Sequence, residues 1–415
     1  MRIIHTADWH IGQTLSGFER DHEHAAVLAD LTRVADEREA DAMIVAGDVF
    51  EHQNPSGEAQ RLFFETIMAL KRARPAMQIV VTAGNHDAAG RLEAPRALLA
   101  GLGVHVTGSV RRRDGRIDSA RHLVALKDRR GEVAAHVLAV SYPTAACLPS
   151  FASLEAPDGV SPVVEATRAL YAELMEATGA GRDGLPLIVT GHLHVAGGIE
   201  SEGAERRILV GGAHAVPPSV FPEAAAYVAL GHLHKAQAIG RETVRYSGSL
   251  LPLSAAELNY KHGVSLVTIG EGPTRIEHVP LVRPVAFRRL PDTGDMRLDE
   301  LADRLTALDV PADCPRDLRP FVQLRLSRDG LPAGFRAEVD RIADAFPVRV
   351  VDIKVTALPS VAGEAAPMPL VRLAELAPED IFRRAFERAR GAPPETAHLD
   401  AFHQAASAAA AMTEA

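Results

Sequence analysis

Residues 43–48 read Met43-Ile44-Val45-Ala46-Gly47-Asp48: four apolar residues, a glycine, then a carboxylate. A run this short and this apolar suits a strand buried on both faces. Glycine next to the carboxylate lets the chain turn sharply there. The same order recurs along the chain. Ile3-Ile4 leads to Asp8-Trp9-His10, and Ile79-Val80-Val81 leads to Gly84-Asn85-His86-Asp87. Leu187-Ile188-Val189 leads to Gly191-His192, and Tyr227-Val228-Ala229-Leu230 to Gly231-His232-Leu233-His234. Helical periods lie between, with Val27, Leu28, Leu31 and Val34 in one and Leu62, Phe63, Ile67 and Leu70 in another. Strands alternating with helices predict an α/β layered fold over residues 1–283.

In open α/β sheets the ligand crevice lies outside the carboxyl ends of the strands. Five strands would therefore bring Asp8, His10, Asp48, Asn85, His192, His232 and His234 to one edge. These are oxygen and imidazole donors without a thiolate, a set suited to manganese, iron, zinc or magnesium. Seven donors are too many for one ion and about right for two. Two ions ~3.5–4 Å apart that share a carboxylate clamp a phosphoryl group for in-line displacement. Singly, Asp-x-His, Gly-Asp and Gly-His-x-His are ordinary loop sequences. Their order after strand upon strand carries the inference.

The whole chain sets bounds on this reading. Its 415 residues exceed one compact core, given roughly 100–200 residues per domain. Apolar residues make up 47% and charged residues 24%, and no stretch reaches the ~20 apolar residues of a membrane helix. The start, Met1-Arg2-Ile3-Ile4-His5-Thr6, is not expected to act as a signal peptide. Cys147 and Cys314 alone exclude a disulfide framework or zinc cage and suit a reducing cytoplasm. A net charge of −9 disfavours a free-standing DNA-binding module but leaves room for a local basic patch. Arg111-Arg112-Arg113-Asp114-Gly115-Arg116 reads as a solvated hairpin, with a phosphate-contacting loop as the alternative.

Beyond Pro284 a small α+β capping domain is expected, residues 284–357. Its strands are placed at 285–290, 321–326 and 348–355, and its helices at 296–308 and 333–345. A Pro/Gly/Ala linker follows at 358–369. C-terminal helices at 370–415 show Ile381, Phe382 and Phe386 on one face. A second short helix is placed at 398–406.

The set D-x-H, G-D, G-N-H-D, H, G-H-x-H resembles the signature of the calcineurin-like metallophosphoesterases. That resemblance implies a layered β-sheet sandwich flanked by helices. It also implies a role for each matching residue. Asp8, His10, Asp48 and His234 would hold one divalent cation. Asp48, Asn85, His192 and His232 would hold the other, with Asp48 as the bridge. His86 would serve the leaving group as an acid, and Asp87 would orient His86. His5 is expected to be buried packing and His194 a bystander. His214, in a loop, either meets substrate or has no role.

Longer stretches narrow the resemblance: His5–Gly12, Gly47–Phe50, Tyr227–Lys235, and Val244–Ser249 followed by Pro252-Leu253-Ser254. They are similar to the bacterial members of the double-strand-break repair nuclease family. This implies a manganese-dependent DNA exonuclease and endonuclease. It also implies a coiled-coil ATPase as partner; no G-x-x-x-x-G-K-[ST] phosphate loop stands in this chain, so any ATP dependence must come from that partner. Ile381, Phe382 and Phe386 are then candidates for docking the ATPase. Leu62, Phe63, Leu98 and Leu99 are candidates for a homodimer interface, and two ATPase chains would complete a heterotetramer. Glu51 departs from some archaeal relatives, which carry His there; His52 or His86 would then cover that role. The competing reading is a small-molecule phosphodiesterase of the same superfamily, and a third is a scaffold that has lost catalysis.

Overall fold

The computed structural model describes residues 1–113, 116–144, 146–149, 161–201, 215–356, 378–390, 393–394, 398–399 and 401–402. The linker at 358–369, His214 and the Asp114-Gly115 tip lie outside the described residues, as does most of the short helix expected at 398–406.

Two six-stranded sheets stack face to face. The first holds β1 (Arg2–Thr6), β2 (Ala42–Ala46), β3 (Gln78–Thr82) and β4 (Val104–Thr107), all parallel. β13 (Gly263–Thr268) and β14 (Arg275–Pro280) extend it antiparallel beside β1. The second holds β8 (Val133–Leu138), β9 (Leu187–His192), β10 (Ala225–Gly231) and β12 (Arg241–Tyr246) in parallel. β7 (Leu123–Lys127) and β11 (Gln237–Ile239) flank that group antiparallel. The five strands read from sequence are thus divided three and two between facing sheets.

Alternation along each strand builds the layers. Ile3, Ile44 and Val80 point inward and meet Val137, Ile188 and Tyr227 of the other sheet. Ile4, Val45 and Val81 point outward onto α1 (Asp21–Glu37) and α2 (Gly57–Ala73), meeting Val27, Leu31 and Phe63. On the far side, Val189, Val228 and Leu230 pack against Leu170 and Leu174 of α5 (Pro162–Thr178). Short helices α3 (Ala89–Glu93) and α4 (Arg96–Ala100) follow β3.

The basic stretch forms two paired segments, β5 (Arg112–Arg113) and β6 (Arg116–Ile117). Arg111 pairs with Glu93 and Arg112 with Glu173, so the solvated-hairpin reading fits better than a free phosphate loop.

Past residue 284, β15 (Phe287–Leu290), β16 (Phe321–Ser327) and β17 (Arg349–Thr356) form a third, parallel sheet. The expected helix at 296–308 is a 3-10 turn running into α6 (Leu301–Thr306), and the second is α7 (Phe335–Ala343). Their Leu301, Leu305 and Val339 cover Val322, Leu324 and Leu326. This unit docks on the sandwich through Phe321, whose ring lies under the guanidinium of Arg349 at 3.7 Å and near that of Arg20 at 5.6 Å. Leu15 and Ala255 complete the junction.

In α8 (Pro378–Arg390) the expected docking face turns partly inward. Phe382 stacks on Phe402 at 4.8 Å and Phe386 meets His398, which leaves Ile381 as its exposed member. Leu62, Phe63, Leu98 and Leu99 divide in the same way. Phe63 and Leu99 are core residues, whereas Leu98 is 80% exposed. No described helix is long and apolar enough to cross a membrane.

Candidate metal centre

The loops after β1 and β2 run side by side. Asp8 N–H donates to Gly47 O at 3.0 Å and His10 N–H to Asp48 O at 3.1 Å. This pairing continues the parallel register beyond the strands and sets Asp8, His10 and Asp48 together. The loop after β3 joins through Asp48 Oδ1, which accepts from His86 N–H at 2.8 Å. The second sheet joins through Asp8 Oδ1, which accepts from His232 N–H at 2.9 Å.

Side chains then converge. Asp48 Oδ2 lies 3.2 Å from His192 Nε2 and 3.6 Å from His10 Nε2. Asn85 Oδ1 lies 3.0 Å from His192 Nε2 and 3.1 Å from His232 Nδ1. The His10 ring meets that of His234 at 5.2 Å and that of His86 at 4.7 Å. Three overlapping donor groups fit within 4.8 Å: Asp8/His10/His234, Asp8/Asp48/His192 and His10/Asp48/His86. All seven expected donors therefore share one buried cluster, with only Asn85 half-buried.

Steric limits explain the glycines. A Cβ at Gly84 would strike the Asp48 carboxylate, and one at Gly231 would strike Ala46 O and, at 2.7 Å, His192 Nδ1. Backbone strain concentrates here as well. Asp8 (φ 53°), His10 (46°), Asp48 (49°) and His232 (104°) all occupy the left-handed side of conformational space.

The electrostatics fit a cation pair. Burial acts to raise the Asp48 carboxyl, but the imidazoles of His192, His10 and His86 outweigh it and hold Asp48 well below the usual range. Burial raises Asp8, against the pull of His192 and His234. His192 is pushed up to about 9: burial opposes this, but Asp48 and Asp8 prevail. Burial and the nearby His192 push His232 down. Asp8 Oδ2 and His10 Nε2 are buried without a hydrogen-bond partner. Buried polar atoms in native folds are nearly always satisfied, and a divalent cation would satisfy both. The donor chemistry and these orphaned atoms fit the expected ions.

Two carboxylates enter where sequence reading does not place them. Glu51 Oε2 lies 2.8 Å from His10 Nδ1, and Glu257 Oε1 lies 2.8 Å from His234 Nδ1. The Asp87 oxygens accept from Val49, Phe50 and Gly84 N–H, so Asp87 fixes the loop that carries Asp48. The His86 Nδ1–H donates to Glu51 O at 2.8 Å. His194 sits at the rim and pairs with Glu200 at 3.2 Å, and His52 is exposed.

Comparison with known proteins agrees with this geometry. Residues 1–236 match the Calcineurin-like phosphoesterase family, and residues 283–390 match the Type 5 capsule protein repressor C-terminal domain. The chain is 48% identical to the SbcD subunit of the nuclease SbcCD from Rhodobacter capsulatus, over 93% of this chain and 94% of that one. It is 38% identical to the Bacillus subtilis protein of that name, over 66% and 67%, and 31% identical to the Escherichia coli K12 one, over 85% of each.

Proposed function

The chain belongs to the calcineurin-like phosphoesterases, in the family of the SbcD nuclease subunits, and from that premise we propose how its site cleaves DNA. It is a metal-dependent nuclease that hydrolyses phosphodiester bonds with divalent cations. The observation that carries the reading is the convergence of residues as distant as Asp8 and His234 on one buried cluster.

Asp8, His10, Asp48 and His234 hold one cation; Asp48, Asn85, His192 and His232 hold the other. When bound, such a pair acidifies a water molecule and polarises phosphate oxygens. His86 has its Nδ1–H committed to a backbone carbonyl, which makes Nε2 the nitrogen that serves substrate. There, protonated on both nitrogens, the ring would give its Nε2 proton to the departing sugar oxygen as the oxygen of water bonds to phosphorus and the phosphorus–oxygen bond to the sugar breaks, leaving His86 neutral with its proton on Nδ1. Asp87 holds the loop on which Asp48 and Glu51 stand. Manganese is the proposed physiological ion.

The chain works with an SbcC-type coiled-coil ATPase. It forms a homodimer through the exposed side of α2 and α4, where Met68 and Leu98 face solvent, with Leu102 just past the end of α4. Two ATPase chains complete a cytoplasmic, nucleoid-associated heterotetramer. The decisive assay offers a DNA hairpin and a small phosphodiester to the manganese-loaded protein, with and without the ATPase. Cleavage of the hairpin, enhanced by ATPase, is expected. Hydrolysis of the small ester alone would overturn the nuclease reading in favour of the small-molecule one.

A further inference from the structure

The two halves of the centre are supported differently. In the half containing Asp8, His10 and His234, each imidazole turns its Nδ1 to a carboxylate. His10 meets Glu51 Oε2 at 2.8 Å and His234 meets Glu257 Oε1 at 2.8 Å. Glu257 is fully buried, and its other oxygen accepts from Leu253 N–H at 2.9 Å. Both its oxygens are thus occupied as acceptors. That fixes His234 with its proton on Nδ1 and its lone pair on Nε2. The Glu51 side chain is only 19% exposed and does the same for His10.

The half containing Asn85, His192 and His232 has no such support among the described residues. His192 Nδ1 donates to a neutral backbone carbonyl, Ala46 O, at 2.9 Å. His232 turns its Nδ1 to the proposed ligand atom Asn85 Oδ1 at 3.1 Å, and no carboxylate among the described residues meets its other nitrogen, Nε2. Asp48 is common to both halves. Asp8 also lies within reach of His192, so the difference between the halves is the pair of carboxylates behind the imidazoles: Glu51 and Glu257 in the first half, none in the second among the described residues.

Carboxylates behind ligating histidines fix the tautomer, orient the ring and make the imidazole a stronger donor. Extra negative charge in a site shielded from water also attracts a cation more strongly than it would at the surface. We infer that Glu51 and Glu257 are positioning residues that make the cation position at Asp8, His10 and His234 the tighter of the two, filled first. This rests on the proposed ligand assignment. It also gives Glu51 a function: its side chain serves His10, while its carbonyl independently holds His86.

The test is a Mn²⁺ titration of the metal-free, full-length protein, followed by calorimetry and by electron paramagnetic resonance of the bound ion. The unsubstituted protein should bind two ions in resolved steps. One equivalent should give the signal of an isolated ion and two equivalents that of a coupled pair. Glu257→Gln and Glu51→Gln keep side-chain size and remove the charge. Each should weaken the first step about 10–100-fold, as loss of a residue behind a ligand typically does, and leave the second nearly unchanged. Asn85→Ala should do the reverse. Should Glu257→Gln fail to fold, Glu51→Gln on its part-exposed loop carries the test alone. An unchanged first step in the Gln variants, or a loss confined to the second, overturns the inference. If the unsubstituted protein binds fewer than two ions, or Asp48→Ala still binds both, the ligand assignment itself fails instead.

Discussion

The backbone N–H of His86 donates to Oδ1 of Asp48 at 2.8 Å, so the proposed acid and the proposed bridging ligand are tied by one bond. The other oxygen of Asp48 faces His192 and His10. Asp48→Ala should therefore abolish hydrolysis and weaken both cation positions together. Asp48→Asn keeps an acceptor for His86 and removes the charge, so it should still lose metal. Elemental analysis of the purified variants checks this. Full occupancy in both would remove Asp48 from the centre.

His86→Gln should keep its metal and lose turnover. General acid catalysis typically contributes 10²–10⁴-fold, and the fall should lie in that range. Because His86 also lies within ligand reach of His10 and Asp48, metal content decides its role. Metal lost in proportion to activity would make His86 a ligand rather than an acid.

Gly231→Ala replaces no proposed ligand yet should disrupt the centre, since the new methyl group meets Ala46 O and the His192 ring. Gly270→Ala opens onto free space and serves as the control. Expected are a lowered melting temperature and reduced Mn²⁺ binding for the first, and neither change for the second. Equal behaviour of the two would show that close packing at β10 does not matter.

His24 predicts how stability varies with pH. Burial, reinforced by the nearby Arg20, pushes its pKa from 6.5 down to about 3. Its Nε2 is buried without a hydrogen-bond partner, so a proton there would leave an unpaired charge. Between those values the unfolded chain takes up the proton and the folded one does not. Stability contributed at higher pH is thus lost as pH falls below about 6.5. His24→Leu should flatten the dependence of the urea midpoint on pH between about 6.5 and 4. An unaltered slope would mean that His24 is not buried neutral.

Leu98→Glu should convert a dimer into a monomer in sedimentation, without altering metal content. Leu98 is 80% exposed on α4, while its neighbour Leu99 is core. Retention of the dimer would move the interface elsewhere.

Much of this site is legible because its residues sit one or two positions past strands whose apolar runs are unmistakable. The sequence does not say which sheet each strand joins. β9 and β10 read like β1 to β3, yet they lie in the facing sheet, and only long-range packing decides that. β7 and β8 escape such a reading, because the apolar run of β7 is only four residues long before Lys127 and His136 interrupts β8; Arg129-Arg130-Gly131 between them is an available turn signal. Glu257 is hidden for a different reason. Ser254-Ala255-Ala256-Glu257 reads as an ordinary surface turn, and its burial arises where that turn meets both Leu253 N–H and the His234 ring. Adjacency in the chain ties Asp87 to His86, whereas its hydrogen bonds run mostly to backbone on another loop.

Four cluster residues adopt backbone conformations that non-glycine residues ordinarily avoid: Asp8, His10, Asp48 and His232. Each such residue costs of order 1–3 kcal/mol and persists only where its surroundings impose it. Natural selection for the reaction is thus set against selection for sturdiness at the same four codons. Glycine at any of the four would relieve the backbone and at the same stroke delete a donor, so at these positions the chain cannot become sturdier without losing part of its centre.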